Sequence, residues 1–94
     1  MRFHALVEVR LRAGIADPQG ATLERALPAL GFESVEGVRV GKAIRFDVDA
    51  FDEAAARAEI DELCRRLLAN PVIEEADVSI SPGQGPVTAG GRAG

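Results

Sequence analysis

Val35-Glu36-Gly37-Val38-Arg39-Val40-Gly41-Lys42-Ala43-Ile44-Arg45-Phe46-Asp47-Val48 is the stretch on which the fold turns. Val35 to Val40 and Ala43 to Val48 are two short strand-like runs, and Gly41-Lys42 between them suits a two-residue type II′ turn, so the stretch is expected to be a β-hairpin. In its second arm Ile44, Phe46 and Val48 alternate with Arg45, Asp47 and Asp49, giving one apolar and one charged face.

A helix is expected on each side of this hairpin. Upstream, Asp17 can cap and Pro18 can occupy the first helical position, where its missing N–H costs nothing. Leu23, Ala26, Leu27 and Leu30 then make one apolar stripe, with Pro28 bending the last turn and Gly31 closing it. Downstream, Asp52 caps a longer helix whose stripe is Ala56, Ile60, Leu63, Cys64 and Leu67, and Asn70-Pro71 ends it.

Two more strands lie outside the helices. Phe3, Ala5, Val7, Val9 and Leu11 alternate with polar residues at the N-terminus, and Ala76, Val78 and Ile80 alternate with Asp77, Ser79 and Ser81 near the end. The order βαββαβ, with right-handed crossovers, gives an α+β fold: a ferredoxin-like two-layer sandwich with a four-stranded antiparallel sheet and two helices on one face. Residues 1–81 form one expected domain, and the Gly/Pro-rich residues 82–94 an expected disordered tail. The second sheet face, carrying His4, Leu6, Glu8, Arg10, Arg45, Asp47 and Asp49, is expected to be covered by a partner or a second copy.

Composition narrows the function. A chain of 94 residues buries only about 60–65% of its unfolded surface, so burial against a second copy would help it. The formal charge of −4, fifteen acidic against eleven basic residues, and four aromatics that are all Phe disfavour nucleic acid as a partner. No apolar stretch suits a signal peptide or a membrane span, and a single cysteine excludes an internal disulfide, so a cytoplasmic setting is expected.

The residues that could carry chemistry read as structural. His4 is the sole histidine and has no nucleophile at a revealing spacing. Cys64 lies on an apolar stripe, where a thiol behaves as a small hydrophobe. Asp47 and Asp49 share a strand face and Asp52 caps a helix, without the twelve-residue calcium-loop pattern. The helix start at Asp17-Gly20 has the anion-binding capacity of any helix start, without a phosphate-loop motif. No catalytic, cofactor or metal residue is therefore expected on this chain. Lys42 stands out as the only lysine beside ten arginines, at the expected turn.

Three segments together go beyond a generic fold: Asp17-Pro18-Gln19-Gly20, Val38-Arg39-Val40-Gly41-Lys42, and Cys64 to Glu74 with its Asn70-Pro71-Val72-Ile73 core. With Leu30-Gly31-Phe32 between the first two, their order and spacing resemble the PurS family, from about Phe3 to Ile80. That family is the small subunit of the multi-protein phosphoribosylformylglycinamidine (FGAM) synthase of de novo purine biosynthesis. The resemblance implies a non-catalytic chain that bridges a glutaminase subunit and a large ATP-dependent synthetase subunit and assists ammonia transfer between them. ATP and Mg are then expected on the synthetase subunit, and self-association as a dimer or tetramer. By motif position, Asp17, Gln19, Gly20, Gly41, Lys42, Asn70 and Pro71 become candidate partner-docking residues. Ala76 departs from the family, which more often has an aromatic there. Two other readings suit the size and fold class: a small-metabolite-binding regulatory module with its ligand at Asp17–Gly20, and an acyl-phosphate hydrolase.

Overall fold

The computed structural model describes residues 1–83, and the expectation of a disordered tail falls on residues outside them. Its elements are β1 (Arg2–Leu11), α1 (Pro18–Ala26) with a 3₁₀ turn at Pro28–Leu30, β2 (Gly41–Asp49), α2 (Glu53–Leu63) with a π turn at Cys64–Leu68, and β3 (Glu74–Pro82). The three strands form one antiparallel sheet in the order β2-β1-β3. The last strand takes in Pro82, which faces Phe3 across the ladder, one position past the expected domain end.

The period of two in β1 does what it predicts. Phe3, Ala5, Val7 and Val9 are buried on the inner face, and α2 closes over them with Ala56, Ile60 and Cys64. Val7 and Ile60 have no solvent exposure at all, which marks the centre of the core. Burying a side chain of this size contributes about 1.5–3 kcal/mol. Capping also follows the sequence: Asp17 Oδ1 accepts from the Gly20 N–H, and Asp52 Oδ1 from the Ala55 N–H. Gly31 closes the first helical segment at φ 93°, a conformation glycine adopts without strain.

Three expectations are corrected. The fourth strand is absent among the described residues: Val35 to Val40 form no strand, the backbone turns to a positive φ of 73° at Gly37, and the sheet has three strands. Gly41-Lys42 is not a turn; Gly41 pairs with Arg10 and Lys42 with Val9, so the chain passes straight into β2. Glycine is required at 41 for close approach, since a Cβ there would lie 2.7 Å from the Val9 carbonyl oxygen. Consequently α1 lies off the sheet with only marginal contact to it, and its stripe is open to solvent: Leu23 is 51% and Leu30 68% exposed.

The end of α2 holds the third correction. In a straight helix Leu67 would sit about 20° from the Ile60 line and Leu68 about 80° from it. The π turn advances each residue by a smaller angle and brings Leu68 back over the core. Leu67 is left 74% exposed.

Candidate functional site

The candidate docking residues come from three separate loops, yet all lie at the end of the sheet where β1 finishes. A shallow cleft of about 320 Å³ is lined by Asp17, Pro18 and Gln19 from the start of α1, by Val40, Gly41 and Lys42, and by Arg10 and Glu74. Beside it, a cleft of about 290 Å³ is lined by Arg12, Cys64, Arg65, Pro71 and Glu74. Glu74 borders both, so the two clefts form one continuous rim.

The first two motifs bind each other. Asp17 uses one carboxylate oxygen for the Gly20 N–H at 2.9 Å and the other for the Val40 N–H at 2.8 Å, with the Arg39 guanidinium 3.7 Å away. The Gly20 and Val40 N–H groups hold this carboxyl below the usual carboxylate range. Glu24, about two helical turns after Asp17, accepts from the Val38 N–H. Gly20 is buried in this junction: a Cβ there would lie 2.5 Å from the Val38 carbonyl oxygen. Asp17 and Gly20 therefore fasten the first helix to the segment entering β2, while Gln19 and Lys42 are left exposed on the rim.

Asn70 and Pro71 form the other side. Asn70 Oδ1 accepts from the Val72 N–H, and the Asn70 N–H donates to Glu74, which folds the segment into a turn. Arg12 donates twice to the Pro71 carbonyl and so ties this turn to the end of β1. Leu67 and Val72 flank it, 74% and 79% exposed; the helical spacing placed Leu67 on the buried stripe, and the π turn that turns it outward has no local sequence signature.

The remaining candidates sit apart from this rim. The His4 ring Nδ1 and Asp47 Oδ1 are 2.6 Å apart on the outer sheet face, and Arg2 donates to the same carboxylate. The hydrogen bond from His4 is the main cause holding the Asp47 carboxyl below its usual range. Asp49 shares Arg2 with Asp47, at 3.9 Å, while Asp52 caps α2, so the strand-face pair and the helix cap are separate, as their positions predicted. Arg10 donates to Asp77 and Glu75, and those partners raise its guanidinium further above the ordinary value. Burial, then the nearby Asp61, pushes the Cys64 thiol up, which keeps it protonated and a poor nucleophile. Among the described residues no group of three His, Cys, Asp or Glu side chains is placed to hold a metal ion, and no helix is long and apolar enough to cross a membrane.

Comparison with known proteins agrees with this geometry. The family model for PurS, described as phosphoribosylformylglycinamidine (FGAM) synthase, matches residues 4–82. The PurS subunit of that synthase from Methanothermobacter thermautotrophicus is 42% identical over 85 residues, which is 90% of this chain and 100% of the relative. The Synechocystis subunit is 40% identical over 92% of this chain and 86% of its own. Among solved structures, a chain of PurLQS from Thermotoga maritima superposes with a TM-score of 0.80 at 33% identity, covering 86% of this chain and 99% of that one. The Methanocaldococcus jannaschii PurS crystal structure gives 0.78 at 34% identity, over 87% and 99%.

Proposed function

The chain belongs to the PurS family as the small subunit of FGAM synthase, and from that premise we propose that it carries no active site and acts by docking its larger partners. In this reading it bridges the glutaminase and the ATP-dependent synthetase and assists the passage of ammonia from one to the other. The likeness to a chain of the PurLQS structure supports an assembly with those subunits. The observation that carries the reading is the rim itself. Three motifs distant in sequence meet at one end of the sheet, in clefts that are shallow and whose polar groups are largely paired within the chain, which is docking chemistry rather than reaction chemistry.

ATP and Mg belong in this reading to the synthetase subunit, and the whole complex to the cytoplasm. The chain also associates with itself: Ile44, Phe46 and Val48 on the inner face of β2 are only partly buried and Leu23 and Leu30 on the first helical segment are exposed, so both gain from burial. The four-stranded ferredoxin-like sandwich expected from the sequence is then reached only in that association.

The test is FGAM formation by the two larger subunits, with and without this chain, from glutamine and from free ammonia. The glutamine-dependent rate is expected to require the chain, and the ammonia-dependent rate to be independent of it. If neither rate responds, the bridging role is wrong. In the same assay Lys42→Ala is expected to raise the concentration of chain needed for half-maximal glutamine-dependent rate, because Lys42 projects from the rim. Its own stability should change by less than about 0.5 kcal/mol, as for surface substitutions in general.

A further inference from the structure

We propose that Phe51 anchors a second docking surface, at the end of the sheet opposite the rim, and that it enters an apolar pocket with a basic lip on whichever larger subunit the rim does not hold. The proposal rests on the bridging role read above and says where the other end of the bridge lies.

The chain through β2 carries opposite charge at its two ends. Residues 38–45 contain Arg39, Lys42 and Arg45 and no acidic residue, whereas residues 46–53 contain Asp47, Asp49, Asp52 and Glu53 and no basic one. All seven of these residues are exposed. The strand has nine residues and spans about 30 Å at the usual rise, so its ends lie further apart than the screening length of about 8 Å at physiological salt. Each end therefore meets a charged partner on its own terms, and a surface that fits one end is repelled by the other.

Phe51 stands in the middle of the acidic end. At 88% it is the most exposed large apolar side chain among the described residues, and it takes no part in the core. Met1, 75% exposed, lies next to it, because the Ala50 N–H donates to the Met1 carbonyl at 2.9 Å. On the other side Asp52 accepts from the Ala55 N–H with its carboxylate and from the Ala56 N–H with its carbonyl. The bend at Phe51 is thus tied to β1 before it and to α2 after it. A ring presented from a backbone fixed on both sides loses little further freedom on binding, which is what an interface anchor requires.

The surroundings of the ring set the chemistry of its partner. Arg2 is shared between Asp47 and Asp49, and neither Asp52 nor Glu53 has an ion-pair partner among the described residues. An exposed aromatic ring within an acidic collar is matched by an apolar pocket whose lip is basic. A second copy of this chain does not offer one. Its basic stretch opens on a cleft that Asp17 and Glu74 also line. A contact of acidic end to basic end between copies would also be head-to-tail, and such contacts build filaments unless the rotation closes a ring. A bridging chain needs two separate surfaces, and the rim supplies one of them.

The test is binding of each purified larger subunit to the immobilised chain, parent and variants, with the glutamine-dependent rate measured alongside. Phe51→Ala is expected to weaken binding of one larger subunit about tenfold or more, as truncation of an aromatic anchor does, and to leave the other unchanged. Lys42→Ala is expected to act on that other subunit. Phe51→Leu, which keeps apolar bulk, should retain most of the affinity, and Asp49→Lys should weaken the same subunit as Phe51→Ala and flatten the salt dependence of its binding. All four positions changed are exposed, so circular dichroism should show every variant folded. Unchanged binding of both subunits to Phe51→Ala overturns the proposal, and so does a loss confined to the subunit that Lys42→Ala weakens. A Phe51→Ala chain that loses self-association in sedimentation overturns it as well, by making a second copy the occupant. A parent chain that binds both subunits but is not needed for the glutamine-dependent rate overturns only the bridging role; one that binds neither overturns both.

Discussion

The two halves of this molecule are held by opposite means. In the half made of β1, β3 and α2, cohesion is apolar: Val7 and Ile60 are fully buried and the strands pair along their length. In the arm from Asp17 to Val40, cohesion is polar: two carboxylates hold three backbone N–H groups, and Leu23 and Leu30 are exposed. The first half is shaped to stand by itself. The second is shaped to be presented, because a segment with few buried apolar contacts keeps its form only through specific hydrogen bonds.

The largest effect should come from breaking the apolar half. Ile60→Ala leaves a cavity between α2 and the sheet and is expected to cost about 2–5 kcal/mol, as for other large-to-small core changes. Thermal unfolding followed by circular dichroism should show a clear loss of the melting temperature, with the sheet and the arm lost together. A loss of the arm alone would mean that the centre of the core lies elsewhere.

The next effect separates the halves. Gly20→Ala puts a Cβ 2.5 Å from the Val38 carbonyl and 2.7 Å from the Asp17 carboxylate, so one of them must move. Overpacking of this kind costs about 1–3 kcal/mol. The damage should fall on the arm: chain association measured by sedimentation should weaken strongly, while amide exchange in β1 and α2 stays slow. Equal loss of protection in both halves would show that they are one cooperative unit.

This contrast explains what the sequence disclosed. The strands β1 and β3, the helix α2 and both caps were legible, because alternation, helical spacing and an Asp at a helix start act within a few residues of themselves. The hairpin was misread because Gly41-Lys42 satisfies a turn rule that is equally satisfied by a straight strand, and the choice is made by Asp17 and Glu24, which hold Val40 and Val38 from 23 and 14 residues away. Leu67 was misread for a similar reason, since a single π turn exchanges it with Leu68. The docking residues were legible only as motifs. That the first two motifs are partners of each other, and that the third meets them at the end of β1, needed the fold.

The smallest effect is a titration, and it distinguishes the carboxylates of the two halves. Asp17 and Asp47 are both held below the usual carboxylate range, one by backbone N–H groups in the arm, the other chiefly by His4 on the sheet. A depressed folded value means a stabilising contribution that is fully present above the unfolded value of about 3.9 and is lost as pH falls through the folded one. Association of the chains should therefore weaken on acidification below that point through Asp17, and the sheet should lose stability through Asp47. In Asp17→Asn the amide can still accept from Gly20, but its NH₂ cannot accept from Val40, so association should already be weaker at pH 7 and should no longer fall with acid through this site. Sedimentation from pH 7 to pH 3 is the measurement. An Asp17→Asn chain whose association follows the same acid profile as the parent would show that the arm is not held by this carboxylate, whereas a flat profile that becomes steep again only when the sheet itself melts would place the two carboxylates in separately failing halves.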